Sequence, residues 1–236
     1  MIKKSQKTFK NPPKKHVPKG LSILYEDHDI LVVDKVSGLL SMSSATVREN
    51  TAYYLLNEYV RKGNQKSRNR IFIVHRLDKD TSGVLVFAKS ETAKQYLQEQ
   101  WSGFKKSYIA VVHGVLDKKE GIITSYLAEN RAYKVFSVDD PKKGKLAKTG
   151  YIVLRESDKF SLLEIDLITG KKNQIRVHLA DRGHPVVGDK KYGKKETGIK
   201  RLALHAASLT LIHPNSKEEM TFDTKFPDFF GSLLNR

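Results

Sequence analysis

The chain has 236 residues, long enough to bury a core, and an ordinary 39% of hydrophobic residues. Lys and Arg number 43 against 26 Asp and Glu, a net charge of +17 that favours a polyanionic partner over a merely lysine-rich, solubilised surface. The chain has no cysteine, which excludes disulfides, thiol nucleophiles and Cys-based zinc sites and suits a reducing cytoplasm.

Residues 1–20 carry seven lysines, three prolines and no acid, and predict a disordered arm. The arm is expected either to add non-specific nucleic-acid affinity or to act as a solubilising tail. Its basic start lacks the apolar stretch of a signal peptide, and no apolar run is long enough to span a membrane. Residues 21–236 are then expected to form one folded domain.

Order is expected from Leu21. Ile30–Val33 reads as a strand and Ser37-Gly38 as the turn after it. Residues 61–70 read as a basic loop. The β-branched run Ile71–Val74 enters a polar turn, and Val84–Phe87 leaves it. Ser90 is placed to cap a helix carrying Ala93, Tyr96, Leu97 and Trp101 at helical spacing. Tyr108–Val112 is a strand and Ile122–Leu127 a weaker one. Residues 139–148 read as a long basic hairpin loop. Thr149–Leu154 and the alternating Phe160–Ile168 are strands, Asn173–Ala180 a short helix stopped at Gly183, and Leu209–Ile212 a last strand. Strands dominate without regular strand–helix alternation. That predicts an α+β fold with a mixed, mostly antiparallel sheet and flanking helices, and argues against a doubly wound parallel sheet.

The segment Val74-His75-Arg76-Leu77-Asp78-Lys79-Asp80-Thr81-Ser82-Gly83 lies between two strands and holds Asp78 at a sheet edge. By itself such an aspartate is more often a turn cap than a catalyst. The segment resembles the Arg-Leu-Asp motif of the RluA-type pseudouridine synthases. Further segments resemble that family in the expected order: Glu26–Lys35 with Ser37–Leu40, Lys106-Ser107-Tyr108, Gly170–Leu179, Gly183–Asp189 and Arg201–Ala206. The resemblance spans roughly residues 21–227. It departs from the family at Lys171, Lys172 and Asn173, where many members have an arginine and a histidine, and a lysine-rich segment of twenty residues does not amount to the S4 domain that many members carry.

The resemblance implies the pseudouridine synthase fold and isomerisation of uridine to pseudouridine in ribosomal or transfer RNA. Uracil is detached from C1′ and reattached through C5, which calls for no redox cofactor, nucleotide or metal. It assigns Asp78 as nucleophile and Arg176 as the cation that keeps it ionised, its planar fork suited to bidentate binding. Tyr108 is expected to stack on the flipped uracil or serve as a base; packing in the core is the alternative. Leu204 is expected in the apolar floor. Arg76 is expected to replace the flipped nucleotide in the stack, with a surface ion pair to Asp80 as the alternative. Asp80 itself reads as a turn residue bonding the backbone near Ser82. His75 is read as structural or phosphate-facing, and Lys148 as an RNA contact of the basic loop, with a solvated lysine loop as the equal alternative. A monomer without an obligate protein partner or membrane contact is expected.

Three other readings compete. An RNA-binding protein without catalysis explains the charge but not Asp78, Tyr108 and Arg176 together. A phosphotransferase is disfavoured because no glycine-rich phosphate loop or Asp-Phe-Gly accompanies His75-Arg76-Leu77-Asp78. A zinc hydrolase lacks a His-Glu-x-x-His pattern.

Overall fold

Two strands with no solvent face anchor the architecture. β2 (Ile30–Lys35) and β4 (Ser82–Ala88) are apolar along almost their whole length and pair antiparallel, Ile30 opposite Ala88 through Lys35 opposite Gly83. Ile30, Val32, Val84 and Val86 point to one core, and Leu31, Val33, Leu85 and Phe87 to another on the opposite side. The period-two alternation thus gives each strand two buried faces. The computed structural model describes residues 18–43, 46–64, 66–193, 198–199 and 201–235; residues 1–17, which hold most of the predicted arm, lie outside these.

The helices that cover these faces are defined by local signals. α1 (Ala52–Arg61) begins where the Thr51 hydroxyl accepts from the Tyr54 amide at 3.2 Å, and ends at Lys62 in the left-handed region. It turns Ala52, Leu56 and Val60 into the core containing Leu31 and Phe87. α2 (Glu91–Gln100) starts as expected at Ser90, whose hydroxyl accepts from Ala93 N at 3.1 Å, and buries Ala93 and Leu97 on the other side. A 3-10 turn, Trp101–Gly103, follows.

One sheet runs through the molecule. Its order is β1 (Leu21–Glu26), β2, β4, β10 (Leu204–Ile212), β5 (Lys105–His113), β9 (Phe160–Asp166), β8 (Lys145–Glu156), β6 (Glu120–Glu129) and β7 (Val135–Val138). β3 (Phe72–Ile73) joins β4, and β11 (Glu219–Asp223) joins β10. β10 runs parallel to β4 over His205–Ser82 and Ala206–Gly83; the other paired strands of the described residues are antiparallel. α3 (Gln174–Asp181) and α4 (Phe229–Leu234) close a further core around Val111, Leu163, Ile165, Leu179 and Phe230. The expected mixed, mostly antiparallel α+β sheet is therefore the observed one.

Several boundaries differ from the sequence reading. The weak strand at Ile122–Leu127 extends to Glu120–Glu129, because all of β6 from Glu120 to Leu127 pairs with β8. The basic loop shrinks to residues 139–144, since β8 already begins at Lys145. There Ala147 and Thr149 are fully buried, Lys148 between them points to the exposed face, and Lys145 lies exposed at the strand's start. α1 and α4 were not anticipated. No helix of the described residues is long and apolar enough to cross a membrane.

Candidate active site

Asp78 sits on the loop between β3 and β4, and its backbone is fastened from several directions. The Ser41 hydroxyl accepts from Leu77 N at 3.1 Å and donates to Leu77 O at 2.8 Å. Gly38 N donates to Lys79 O at 2.9 Å, and the Ser37 hydroxyl donates to Asp80 O at 2.7 Å. Lys35, fully buried at the end of β2, donates its ammonium to Val36 O, Leu39 O and Lys79 O at 3.1, 2.8 and 3.2 Å. Burial pulls the Lys35 pKa down to about 8 against the opposing pull of Asp80, Asp78 and Asp34. A lone lysine ending an apolar strand was the signal for this clamp; the sequence reading noted the residue only as part of a family-like turn. Asp80 acts through its carbonyl. Its carboxylate forms no hydrogen bond to the backbone near Ser82 among the described residues, which corrects the expectation.

The Ser82 hydroxyl is held by the C-terminal part of the chain. It accepts from Arg201 Nη2 at 2.8 Å and lies 2.8 Å from His205 Nδ1, while His205 Nε2 lies 2.8 Å from the Thr224 hydroxyl. Burial and then Arg201 hold the His205 pKa down at about 4. This Ser–His contact is therefore a neutral, buried brace for the loop exit.

α3 supplies the partners of Asp78, 98 and 95 residues away in sequence. Arg176 Nη1 donates to Asp78 Oδ2 at 2.9 Å, and Asn173 Nδ2 donates to the same oxygen at 2.6 Å. Oδ1 carries no hydrogen bond among the described residues. The predicted pairing of Asp78 with Arg176 exists, but the bidentate fork goes elsewhere: Arg176 Nε and Nη2 donate to the two oxygens of Asp189, each at 2.7 Å. The Asp189 side chain is fully buried, and its Oδ1 also accepts from Lys191 N and Tyr192 N. Burial disfavours both charges. The mutual hydrogen bonds outweigh it, raising the Arg176 pKa and lowering that of Asp189. Asp189 fell in a family-like segment, but nothing in its local sequence pointed to Arg176.

Asn173, one of the departures from the family pattern, adopts φ 53° at the start of α3, where the left-handed region suits Asn. Its Oδ1 accepts from the Tyr192 hydroxyl at 3.2 Å, and that hydroxyl in turn accepts from Val135 N at 3.1 Å. The Arg176 guanidinium lies 5.2 Å from the Tyr192 ring centroid. Tyr192, not singled out in the sequence, thus braces two neighbours of Asp78.

These groups open onto a cavity of about 360 Å³ lined by Arg76, Asp78, Tyr108, Asn173, Arg176 and Leu204 among others. Its size falls in the lower range of small-ligand pockets, roughly 300–1,000 Å³. Tyr108, on β5 opposite Ala206 and Ile165, forms one wall. Burial, and then the Asp78 charge, raise its pKa far above the ordinary value, so the resting group is the neutral phenol. Leu204, at the start of β10, is 3% exposed and contributes apolar lining.

The remaining candidates divide. Arg76 is exposed at the cavity, its Nη1 3.9 Å from Met42 Sδ, and no ion pair to Asp80 occurs among the described residues. His75 stacks on Trp101 with centroids 4.2 Å apart and accepts from Val86 N at 3.2 Å. Burial, then Lys106, pull its pKa to about 3, which favours the structural half of its reading, since a neutral ring cannot neutralise phosphate. Lys148 brings its backbone to the site: its carbonyl accepts from Gln174 Nε2 at 2.9 Å, while its side chain is exposed and outside the cavity lining. Elsewhere, Asp27, Asp29 and His213 group together in a way that suggests metal ligands. Asp27 already accepts from two backbone amides and the Tyr25 hydroxyl and contacts His213 Nε2, so the group serves as a structural clamp.

Comparison with known proteins bears on the same residues. The family model for RNA pseudouridylate synthase matches residues 29–181. An uncharacterized RNA pseudouridine synthase of Mycoplasma pneumoniae is 36% identical over 221 residues, covering 91% of this chain and 70% of its own. The ribosomal large subunit pseudouridine synthase D of Nitrosomonas europaea is 36% identical over 226 residues, covering 91% of this chain and 64% of its own. The structure of human RNA pseudouridylate synthase domain containing 4 superposes with a TM-score of 0.75 at 26% identity, over 90% of this chain and 91% of that one. A cavity built around Asp78 and Arg176, on a sheet shared with such enzymes and in a sequence this close to them, identifies this chain as a member of the RNA pseudouridylate synthase family.

Proposed function

We propose that this RNA pseudouridine synthase acts on ribosomal or transfer RNA with Asp78 as its nucleophile. The observation that carries the reading is the asymmetry at Asp78, a residue of the cavity lining: Arg176 and Asn173 both donate to Oδ2, which leaves Oδ1 without a hydrogen bond among the described residues. Donors on one oxygen orient the carboxylate and favour its charged form, and the other keeps its lone pairs for carbon.

The chemistry follows from that geometry. A target uridine leaves its stack and enters the cavity, and Arg76 at the rim offers a planar cation to the gap. Oδ1 attacks C1′, the N1–C1′ bond breaks, and its electron pair departs with uracil. The detached base turns between Tyr108 and Leu204. C5 then bonds to C1′ and displaces the carboxylate, the C5 proton is lost, and N1 gains a proton. Atoms and charge balance without an oxidant or reductant. With Tyr108 held as a phenol, stacking and containment of uracil suit it better than action as a resting base. Ribosomal RNA is favoured by the Nitrosomonas relative's name. The basic surface fits either RNA, and the absence of cysteine fits a cytoplasmic enzyme, which we read as a monomer.

The test uses RNA carrying tritium at uridine C5, in separate ribosomal and transfer fractions, and counts tritium released to water. Wild type should release it from one fraction. Asp78→Asn should fall by more than about 1,000-fold while still binding that RNA. Undiminished release by folded Asp78→Asn would remove Asp78 as nucleophile.

A further inference from the structure

The hairpin between β6 and β7 carries a side chain that contributes little to the fold. Tyr133 is 72% exposed and stands at φ 57°, a conformation that a bulky residue adopts at a cost and that Gly or Asn would adopt more easily. The turn around it is nevertheless tightly made. Asn130 Oδ1 accepts from Ala132 N and Lys134 N, both at 3.0 Å, and Tyr133 N donates to Asn130 O at 2.9 Å. A strained turn that is held firmly, with a large ring facing solvent, presents that ring to something outside the chain.

Its surroundings indicate what. Lys172, which lines the cavity, places its ammonium 5.3 Å from the Tyr133 ring centroid and 3.5 Å from Tyr133 O. Lys191 donates to the same carbonyl at 2.9 Å. Burial and then the Lys172 and Arg176 charges lower the Lys191 pKa, with Asp78 and Glu129 opposing. Glu129 is already paired with Lys172. The hairpin is also tied to the reacting group: Val135 N donates to the Tyr192 hydroxyl, which donates to Asn173, which donates to Asp78. An exposed aromatic ring next to two ammonium groups is how proteins hold single-stranded nucleotides, by stacking the base and neutralising the phosphate.

We propose that Tyr133, Lys172 and Lys191 form a second nucleotide subsite at the cavity rim, which stacks an unpaired base flanking the target uridine on Tyr133 and takes its phosphate between the two lysines. The proposal rests on the isomerase reading and adds a determinant of substrate choice: the target must have an unpaired neighbour. Bound there, the flanking nucleotide anchors the RNA on the hairpin linked to Asp78, so the subsite acts on affinity rather than on the bond-changing steps.

The experiment follows tritium release from C5-labelled cellular RNA as a function of RNA concentration, for wild type, Tyr133→Ala and Tyr133→Trp. Tyr133→Ala should need on the order of 10-fold more RNA for half-maximal release and reach the wild-type plateau. Tyr133→Trp, which keeps a stacking surface, should stay close to wild type and shows that the ring rather than the turn matters. An unaltered thermal midpoint in Tyr133→Ala confirms that it folds. Half-saturation of Tyr133→Ala within about twofold of wild type, well below the stacking effect, overturns the subsite. So does a fall of Tyr133→Trp equal to that of Tyr133→Ala. Absence of release by wild type would instead sink the isomerase reading beneath it.

Discussion

Arg176 grips Asp189 with two parallel hydrogen bonds of 2.7 Å and reaches Asp78 with its remaining amino group. The fully buried carboxylate of Asp189 therefore sets the angle at which the guanidinium meets that of half-buried Asp78. Asp189→Asn keeps the shape and removes the charge. Breaking a buried, hydrogen-bonded pair costs about 3–5 kcal/mol, so urea unfolding should show a loss near the lower bound. Misaiming Arg176 should also lower saturated tritium release on the order of 100-fold, with half-saturating RNA unchanged. A folded variant that keeps the wild-type plateau would show that Asp189 serves stability alone.

Gly83 permits the closest approach of backbone around the loop. It has φ 113°, and a Cβ there would lie 2.1 Å from Ala206 O, on the neighbouring strand β10. No side-chain rotation relieves a clash with backbone. Gly83→Ala should lose about 3 kcal/mol or more in denaturant unfolding and reduce activity through displacement of Asp78. Wild-type stability in that variant would mean that the β4–β10 junction is more pliant than its geometry indicates.

Three histidines make the fold sensitive to acid. Burial holds His75 at about 3 and His178 and His205 at about 4, with further lowering from Lys106, Arg182 and Arg201 respectively, while Asp181 opposes at His178. In the unfolded chain each titrates at about 6.5. Below that pH the unfolded state takes up protons that the folded state refuses. The stabilising contribution is complete above about pH 6.5 and is lost as pH falls toward 4 and 3, by up to about 1.4 kcal/mol per pH unit for each group. Unfolding free energies at pH 7, 6 and 5 should therefore decline with increasing slope. A flat profile would show that these rings protonate without unfolding.

Much of the site could be read in the sequence because the chemistry is local in motif even where it is distant in space. Asp78, Tyr108 and Arg176 each lie in a segment of recognisable character, and the fold brings all three to one cavity. Asp189, Tyr192 and Lys35 were harder to see. Each works through a partner fixed only by tertiary packing, and a buried lysine bonded to three carbonyls looks in sequence like any strand-end lysine. Among the elements, Ser90 announced α2 through its cap. α1 escaped because Tyr53, Tyr54 and Tyr59 surround its Ala52–Leu56–Val60 stripe with amphipathic rings. The lysines of residues 145–148 concealed a strand because only Ala147 and Thr149 carry its inward alternation.

The parallel seam between β4 and β10 has a consequence for how the enzyme comes into being. β10, at residues 204–212, sits between β4 and β5, strands that begin about 120 and 100 residues earlier. During synthesis the two antiparallel halves can form in turn, but the gap between them stays open until the last strands leave the ribosome. Closing it is a long-range step, of the sort that slows folding. Ser82, and with it the exit of the Asp78 loop, acquires its His205 and Arg201 partners only at that moment. A nascent chain can therefore carry Asp78 and Arg176 well before it holds them in register, and the complete site arrives with the final strands.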